Sequence, residues 1–298
     1  MKLVQISDFK LGKLIYGFFL CKEKQLRHTR NGDMYIDIIF SDATGVISGK
    51  LWDLVEEYRD RFQKGEPVAV KGQITNFNDT LQLTVSQINK ATESQYNKYG
   101  FSNNFLIKQI KESTDELWEN IITIINSLDC PYRDVIYNIY KENEKKIKSI
   151  PMSIDDVEIV RGSFLKSLFI TSNILLNILH YYPNINKNLV ISGLLLQNIG
   201  KIRCINDDLQ VSYTDEGILV GYKNLGIEIL HQAVAAINTF PKDVLLQLEH
   251  VILYSNTDDI SSNIKAQLPE VLFIKYISKL DMEVNNMCNF MDIPYKKS

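Results

Sequence analysis

The chain has 298 residues, of which 45% are hydrophobic and 23% are charged, and its formal net charge is −3. Such a chain is soluble and globular, and its length predicts about two domains. The small net charge gives no global field that would attract a polyanion, although the sum conceals local asymmetry. No apolar run reaches the roughly 18 residues of a membrane span, and the start MKLVQISDFKLGK lacks the apolar stretch of a secretory signal. We therefore expect a cytoplasmic protein with no membrane partner.

The cysteines exclude one class of site. The sequence has four of them, at Cys21, Cys130, Cys204 and Cys288. Because they are widely spaced, no CxxC zinc or redox signature is present. We expect reduced thiols, most of them packed in the interior.

Residues 10–90 carry the alternation and the turn signals of short strands. The predicted elements, in chain order, are a strand KLIYGFFLCKE (13–23), a turn RNGD (30–33), a strand MYIDIIF (34–40), a turn SDATG (41–45), a strand VISGKLW (46–52), a helix DLVEEYRDRF (53–62), and two strands EPVAVKGQITNF (66–77) and LQLTVSQI (81–88). Three strands, a short helix and two strands are the order of a five-stranded OB-type barrel, in which the helix plugs the barrel.

The predicted third strand places Ile47 and Leu51 on one face, and Ser48, Lys50 and Trp52 on the other. Exposed rings stack on bases and cations neutralise phosphates, so a face with both favours nucleic acid. The first hundred residues also hold a basic cluster at Lys10, Lys13, Lys22, Lys24, Arg27, His28 and Arg30. The candidate contacts to single-stranded RNA or DNA are Tyr35, Lys50 and Trp52 on one face, Lys22, Arg27 and Arg30 in the first long loop, and Lys71 and Phe77 near the last. Alternatively, Tyr16, Phe18 and Trp52 fill the barrel or contact the second domain.

Beyond the barrel the composition changes. Residues 92–104, TESQYNKYGFSNN, are polar and read as a linker. Apolar residues at helical spacing then predict helices over 105–127, 131–149, 164–181, 187–199, 217–237, 241–256 and 268–290, with a short hairpin at 204–214. The predicted fold class is α+β multidomain, with an OB-type barrel at 1–91, a linker at 92–104 and an all-α domain at 105–298.

Several motifs in both halves resemble those of the YhaM-type 3′-5′ exoribonucleases, which join an OB-fold to an HD-domain phosphohydrolase. In the barrel, SGKLWD (48–53) is similar to the family's A-K-L-W-D element, and KGEPVAVKGQI (64–74) has its glycine spacing. In the helical half the similar elements are GSFLKSL (162–168), LQNIGK (196–201), EGILVGY (216–222), HVILYSNT (250–257) and YISKLD (276–281). The resemblance implies an HD-like core at 151–290, preceded by helices at 105–150, and we expect Gly200 in a left-handed conformation at a helix end.

The metal ligands of that family are not present at the matching positions. In HD hydrolases, the histidines and aspartates of these motifs hold divalent ions such as Mn or Mg, which activate water for attack on a phosphodiester. Here the positions fall on Ser167, Gln197, Asn198, Tyr222, Ser255, Asn256 and Ser278, and an upstream histidine pair falls on Val157 and Glu158. Serine, amide and phenol side chains are not such ligands. We therefore expect no metal, no cofactor and no catalytic residue at these positions.

Three hypotheses remain open at this point. The first is a catalytically inactive relative of the exoribonucleases that binds single-stranded RNA or DNA, with the helical domain as scaffold, protein-partner surface or homo-oligomer interface. The second is a working phosphohydrolase with relocated acidic ligands, for which the candidates are Asp207, Asp208, Asp258, Asp259 and Glu283. The third is a structural interaction protein whose barrel has lost its ligand.

Overall fold

The computed structural model describes residues 4–154, 159–255 and 268–291, with side chains described as far as residue 287. These residues divide into two compact units. One unit extends to Gln109 and includes Asp208–Gln210, and the other comprises Ile110–Asp207 and the chain from Val211 onward. No helix in the described ranges is both long enough and apolar enough to cross a membrane.

The first unit is built around a closed five-stranded barrel. Its elements are β1 (Leu14–His28), β2 (Met34–Asp42), β3 (Gly45–Leu51), α1 (Val55–Tyr58), β4 (Pro67–Phe77) and β5 (Thr80–Lys90). The strand order is β1-β2-β3-β5-β4, and β4 closes the barrel by pairing with β1. The β3–β5 pair is parallel and the other four are antiparallel. The predicted OB-type topology is therefore confirmed.

Strict alternation along the strands fills the barrel. On β2, Ile36, Ile38 and Phe40 are fully buried, whereas the residues between them face outward. A Cβ at Gly49 on β3 would lie 2.4 Å from the Phe40 ring, so only glycine leaves room for that ring. The predicted plug is present in a shorter form: α1 covers one turn, and Val55, Tyr58 and Phe62 complete the core.

Strand β1 is longer than the sequence indicated. It continues to His28, with an irregularity in its pairing to β2 between Cys21 and Glu23. The prediction that Lys22 and Arg27 lie in the first loop is therefore wrong, because both are strand residues. Arg30 does lie in the turn, where Thr29 and Asp33 close a backbone hydrogen bond of 2.8 Å. The residues KEKQLRH are mostly polar and mostly exposed, so the sequence has no alternation of buried apolar residues to indicate that the strand continues.

The segment after the barrel is ordered by a few apolar side chains. It contains α2 (Glu93–Tyr96) and 3₁₀ turns at Asn97–Tyr99 and Asn103–Leu106. Phe101 and Leu106 are buried in a small core together with Leu20 and Ala91. The polar residues of 92–104 thus surround one buried aromatic anchor.

The second unit is helical. Its helices are α3 (Thr114–Asn126), α4 (Tyr132–Glu142), α5 (Glu144–Ser149), α6 (Ser163–Ile178), α7 (Lys187–Leu196), α8 (Lys201–Cys204), α9 (Asp215–Leu219), α10 (Tyr222–Ala235), α11 (Lys242–Tyr254) and α12 (Pro269–Met291), and β6 (Ile205–Asn206) pairs with β7 (Ser212–Tyr213). Every residue from Leu189 to Gly200 is buried, so α7 is the central helix of the unit.

Two glycines define the helix ends beside α7. The predicted helix over 217–237 is two helices, because Gly221 adopts a φ of +78° between α9 and α10. The sequence predicted a left-handed conformation for Gly200, and this prediction is wrong, because its φ is −61°. Glycine is required there for a different reason: a Cβ would lie 1.8 Å from the carbonyl oxygen of Tyr222. The close approach of α10 to this helix end depends on it.

Candidate nucleic-acid interface

One outer wall of the barrel gathers three aromatic rings around a lysine. We call Tyr35, Lys50, Trp52 and Phe77 the aromatic face. The Tyr35 and Trp52 rings stack with centroids 4.6 Å apart and an interplanar angle of 29°. The Lys50 Nζ lies 5.2 Å from the Tyr35 centroid, 5.4 Å from that of Trp52 and 5.2 Å from that of Phe77. The sequence predicted that the first three face outward together, and the structure adds Phe77 to them.

Strand register explains this grouping. Ile36 on β2 pairs with Leu51 on β3, and both side chains are fully buried. Since side chains alternate, Tyr35 and Trp52 must lie side by side on the outside. Trp52 remains 42% exposed, which decides against the alternative that it fills the barrel. Phe77 is 55% exposed at the end of β4, so the rings offer open faces to a ligand.

Neutral hydrogen-bonding side chains continue the wall beyond Lys50. Lys50 is in register with Thr84 on β5, whose hydroxyl lies 3.1 Å from that of Thr75. Two residue pairs further along, on the same outer side, the Gln82 amide donates to the Ser48 hydroxyl at 3.5 Å. Hydroxyl and amide groups beside exposed rings can meet base edges and sugar hydroxyls.

The predicted cations differ in their surroundings. Arg27 pairs with the Asp37 carboxylate at 3.3 Å and donates to the Gln25 side chain, so part of its charge is compensated. Lys22 and Arg30 are exposed. None of these three is among the groups that contact the rings of the aromatic face.

Lys71 belongs to another wall. It lies on β4 opposite Tyr16 on β1, and its Nζ is 5.3 Å from the Tyr16 ring centroid. Tyr16 is 55% exposed and so does not fill the barrel. Phe18 does pack, against Tyr96 at 5.3 Å and Phe101 at 4.6 Å. The alternation of Leu14, Tyr16 and Phe18 on β1 is the signal that places Tyr16 outside.

Lys24, a member of the basic cluster, has a structural role. Its Nζ donates to the backbone carbonyls of Arg59 and Phe62 and lies 4.3 Å from the Phe62 ring centroid. Burial lowers the pKa of this lysine, although nearby acidic groups act in the opposite direction. The neighbouring Cys21 is buried, which raises its thiol pKa to about 12 and keeps it protonated. Neither side chain is available to a ligand.

Comparison with known protein families agrees with the barrel topology. Residues 22–91 match the family model described as OB-fold nucleic acid binding domain. The N-terminal barrel is an OB-fold domain. The matched residues lie in the barrel and do not extend into the helical unit.

Solved OB-fold structures resemble the domain at low identity. The second OB-fold domain of replication protein A from Methanococcus maripaludis is 19% identical over 30% of this chain and 94% of its own, with a TM-score of 0.25. The mitochondrial single-stranded DNA binding protein Rim1 from S. cerevisiae is 14% identical over 27% of this chain and 95% of its own, with a TM-score of 0.24. A replication protein A heterotrimer bound to ssDNA is 17% identical over 31% of this chain and 66% of its own, with a TM-score of 0.25.

The helical unit holds a polar cluster at the positions that matched metal ligands in the sequence. The Ser167 hydroxyl on α6 donates to an Asp281 carboxylate oxygen on α12 at 2.7 Å. The Gln197 amide nitrogen donates to the Ser278 hydroxyl at 2.7 Å. We call these four residues, with Asn198, the amide cluster. It joins three helices through hydrogen bonds between side chains.

The amide cluster lies at the edge of the core: Ser167, Ser278 and Asp281 are half-buried, and its two amides are buried. Gln197 is 3% exposed, Asn198 is also buried, and Ser255 at the end of α11 is fully buried. Tyr222 begins α10, where the Lys201 Nζ lies 5.5 Å from its ring centroid. Asn256, Val157 and Glu158 lie outside the described residues. The Gln197 amide nitrogen and the Tyr222 ring contact other protein groups, whereas the Gln197 amide oxygen and the Ser255 hydroxyl are buried without a hydrogen-bond partner.

The chemistry of the cluster does not fit a divalent metal centre. The Gln197 nitrogen and the Ser167 hydroxyl act as donors here, and although the Gln197 amide oxygen has no partner, one neutral amide oxygen beside one carboxylate is not the imidazole and carboxylate set that such ions select. Asp281 accepts from Ser167 on one oxygen and from the Asn285 amide on the other, the latter at 3.0 Å. Among the described residues, no group of three His, Cys, Asp or Glu side chains is placed to hold a metal ion.

The acidic residues considered as relocated ligands are engaged elsewhere or lie outside the description. Asp207 accepts from Lys146 and from the Ser149 hydroxyl. Burial alone would raise its pKa, but these two hydrogen bonds hold that pKa below its ordinary value. Glu283 lies 3.8 Å from Lys279, a helical neighbour, and Asp258 and Asp259 lie outside the described residues.

The histidines of the helical unit do not converge either. The His231 ring lies 2.5 Å from the Glu249 carboxylate on the surface of α10 and α11. Burial lowers the pKa of His250, whose ring is 4.7 Å from that of Tyr254. His180 contacts the neighbouring Tyr181 ring.

Proposed function

We propose that this protein binds single-stranded RNA or DNA through the aromatic face of its OB-fold domain. The observation that carries the proposal is the Tyr35–Trp52 stack with Lys50 beside it, open to solvent on a barrel of the OB type. A base stacked on such a ring gains about 1–3 kcal/mol, and a lysine at the same place neutralises a phosphate. The surrounding hydroxyl and amide groups add hydrogen bonds without demanding one sequence.

We further propose that the helical unit is an HD-like scaffold without hydrolytic activity, related to the 3′-5′ exoribonucleases. The motif resemblance supports the relationship to the exoribonucleases, and the amide cluster supports the absence of hydrolytic activity. Its members are neutral except Asp281, and that carboxylate is occupied by hydrogen bonds. A unit that retains its core but not its ligands is suited to orient the OB-fold domain or to bind a partner.

An apolar stripe supports the second of these roles. Leu272, Tyr276 and Leu280 follow one another at a spacing of four residues on α12, and all three are exposed. Such a stripe is typical of a helix that packs against another protein or a second copy of the chain. Sedimentation of the wild type and of Tyr276→Glu tests this role. A species larger than the monomer in the wild type that is lost in the variant supports it.

The binding proposal is tested by fluorescence anisotropy with labelled single-stranded RNA and DNA of equal sequence. We expect saturable binding to at least one of them, weakened as salt rises, because phosphate contacts release counterions. Duplexes of the same sequence serve as controls. Absence of binding, or binding that does not respond to salt, would contradict the proposal.

Loss of activity is tested separately by incubating 3′-labelled and 5′-labelled RNA with the protein in Mn²⁺ and in Mg²⁺. We expect intact RNA in both. Stepwise shortening from the 3′ end that a chelator abolishes would instead establish a working phosphohydrolase with relocated ligands.

A further inference from the structure

A second aromatic and cationic pair lies on the wall of the barrel formed by β4 and β1. It consists of Tyr16 and Lys71, whose Nζ lies over the tyrosine ring at 5.3 Å from the centroid. We propose that Tyr16 and Lys71 form a second stacking station, which binds the same nucleic-acid strand after it has crossed β5 and β4. This inference rests on the proposed function of the aromatic face and extends its length.

The strand register connects the two sites. Lys50 on β3 pairs with Thr84 on β5, Thr84 pairs with Gln73 on β4, and Gln73 pairs with Leu14 on β1. Three strand steps of roughly 4.8 Å give a path of about 14 Å across the wall. Tyr16 and Lys71 are each two residues along from Leu14 and Gln73, on the same outer side. An OB fold binds about 4–16 nucleotides of single-stranded nucleic acid, so one oligonucleotide can reach both stations.

The charge of the path favours a polyanion. Residues 10–21, 67–77 and 80–90 contain no aspartate or glutamate, whereas they carry lysines that include Lys10, Lys13 and Lys71. The β2 side of the aromatic face, by contrast, holds Asp37 beside Arg27. A strand leaving the aromatic face therefore meets no repelling carboxylate on β5, β4 or the first half of β1.

The exposure of the Tyr16 ring distinguishes this second station from side chains that simply pack against the rest of the domain. Phe18, two residues after Tyr16 on the same side of β1, is covered by the Tyr96 and Phe101 rings. Tyr16 is more than half exposed, and its contact with Lys71 leaves the ring accessible. Thr84 and Gln73 between the stations supply hydroxyl and amide groups, and the exposed Leu14 beside Gln73 adds an apolar contact.

The test is an oligonucleotide length series, from about 3 to about 12 nucleotides, bound by the full-length wild type, Tyr16→Ala, Tyr16→Phe and Trp52→Ala. We expect Trp52→Ala to weaken binding at every length. Tyr16→Ala should leave the shortest oligonucleotides unaffected and weaken the longest by about tenfold, because only a long strand reaches the second station. Tyr16→Phe should restore most of that affinity, since the ring is kept. Tyr181→Ala, an exposed tyrosine of the helical unit, is the matched control and should bind as the wild type does.

Two results would overturn the inference while leaving the proposed function intact. Tyr16→Ala binding as the wild type at every length would show that the strand does not reach this wall. An equal loss at every length would show that Tyr16 belongs to the first site. If the wild type binds no oligonucleotide, both proposals fail together, and circular dichroism of each variant shows whether the fold is retained.

Discussion

The two units use similar side chains in opposite ways. On the OB-fold domain, rings, amides and a lysine lie on the outside of strands, where they are in partial contact with one another and with solvent. In the helical unit, amide and hydroxyl groups lie between helices at the edge of the core, where Gln197 and Ser278 join α7 to α12 and Ser167 and Asp281 join α6 to α12. Polar residues at motif positions indicate a ligand site only when their hydrogen-bonding groups are accessible to a ligand and are not already bonded to other protein groups.

The difference has an energetic consequence. Changing a residue of the aromatic face should reduce affinity and leave stability almost unaffected, since exposed side chains contribute little to the core. Changing a residue of the amide cluster should reduce stability, because a buried polar group without its partner costs about 1–3 kcal/mol. Four variants test this contrast.

The largest effect is expected from Gln197→Glu. This change keeps the shape but places a carboxylate at a site that is 3% exposed, and we expect a loss of about 3 kcal/mol in the free energy of unfolding at pH 8. Burial raises the pKa of such a carboxyl, so the penalty is absent below its ordinary value of about 4.3 and grows as pH rises through the raised value. Urea unfolding from pH 4 to pH 8 measures it.

The matched control is Gln232→Glu on the exposed side of α10, which should cost little at any pH. If Gln197→Glu is as stable as the wild type at pH 8, the site is open to solvent or to a cation. The structural interpretation of the amide cluster would then be wrong.

The next effect is expected from Trp52→Ala, on binding rather than on stability. Loss of one stacked base should weaken affinity for single-stranded nucleic acid by about ten- to a hundredfold. The midpoint of urea unfolding should move little, because Trp52 lies on the surface. A variant that loses stability and keeps its affinity would reverse the roles that we assign to the two units.

Asp207→Asn probes a smaller, pH-dependent contribution in the helical unit. We expect a loss of about 1 kcal/mol at pH 7, since the carboxylate bonds with Lys146 and Ser149 are weakened. The Asp207 pKa is lowered in the folded state, so this contribution is present above the ordinary value of 3.8 and disappears as pH falls through the lowered value. The two unfolding curves should therefore converge in acid, and a double-mutant cycle with Lys146→Met isolates the pair.

The smallest effect is expected from Lys50→Met. Removing one phosphate contact should weaken binding a few-fold at low salt and reduce the slope of log K against log salt by about one. Lys141→Met on the helical unit is the control and should change neither quantity. An unchanged slope for Lys50→Met would mean that this lysine orders the three rings without contacting phosphate.

Much of the OB-fold domain was predictable, because alternation at a period of two and tight turns are local signals. The positions of Lys50 and Trp52 followed directly from the pattern VISGKLW. The length of β1 did not, since KEKQLRH has no apolar side to reveal a strand. Phe77 and Lys71 were both predicted near the last loop, yet they lie on different walls. Separating them required the pairing of β4 with β1, a contact distant in sequence.

In the helical unit, the helical spacing of apolar residues located most helices but not their ends: the predicted helices over 131–149 and 217–237 are each two helices, and that over 105–127 begins at Thr114. The unusual pair Gln197 and Asn198 stood out at once. What they contact did not follow. Ser278, the partner of Gln197, is 81 residues away, and Asp281, the partner of Ser167, is 114 residues away; only the packing of α12 against α6 and α7 brings them near. Gly200 shows the same limit: its glycine is required by Tyr222, which no local pattern indicates.

The most direct test of the central claim uses the emission of Trp52. The sequence has two tryptophans, and the other, Trp118, is buried against Tyr140. In a Trp118→Phe variant, Trp52 is the sole indole, and it reports on the aromatic face alone. We predict that single-stranded RNA or DNA quenches its emission saturably, with a midpoint that shifts to higher concentration as salt rises. Binding detected by anisotropy that leaves Trp52 emission unchanged would contradict it.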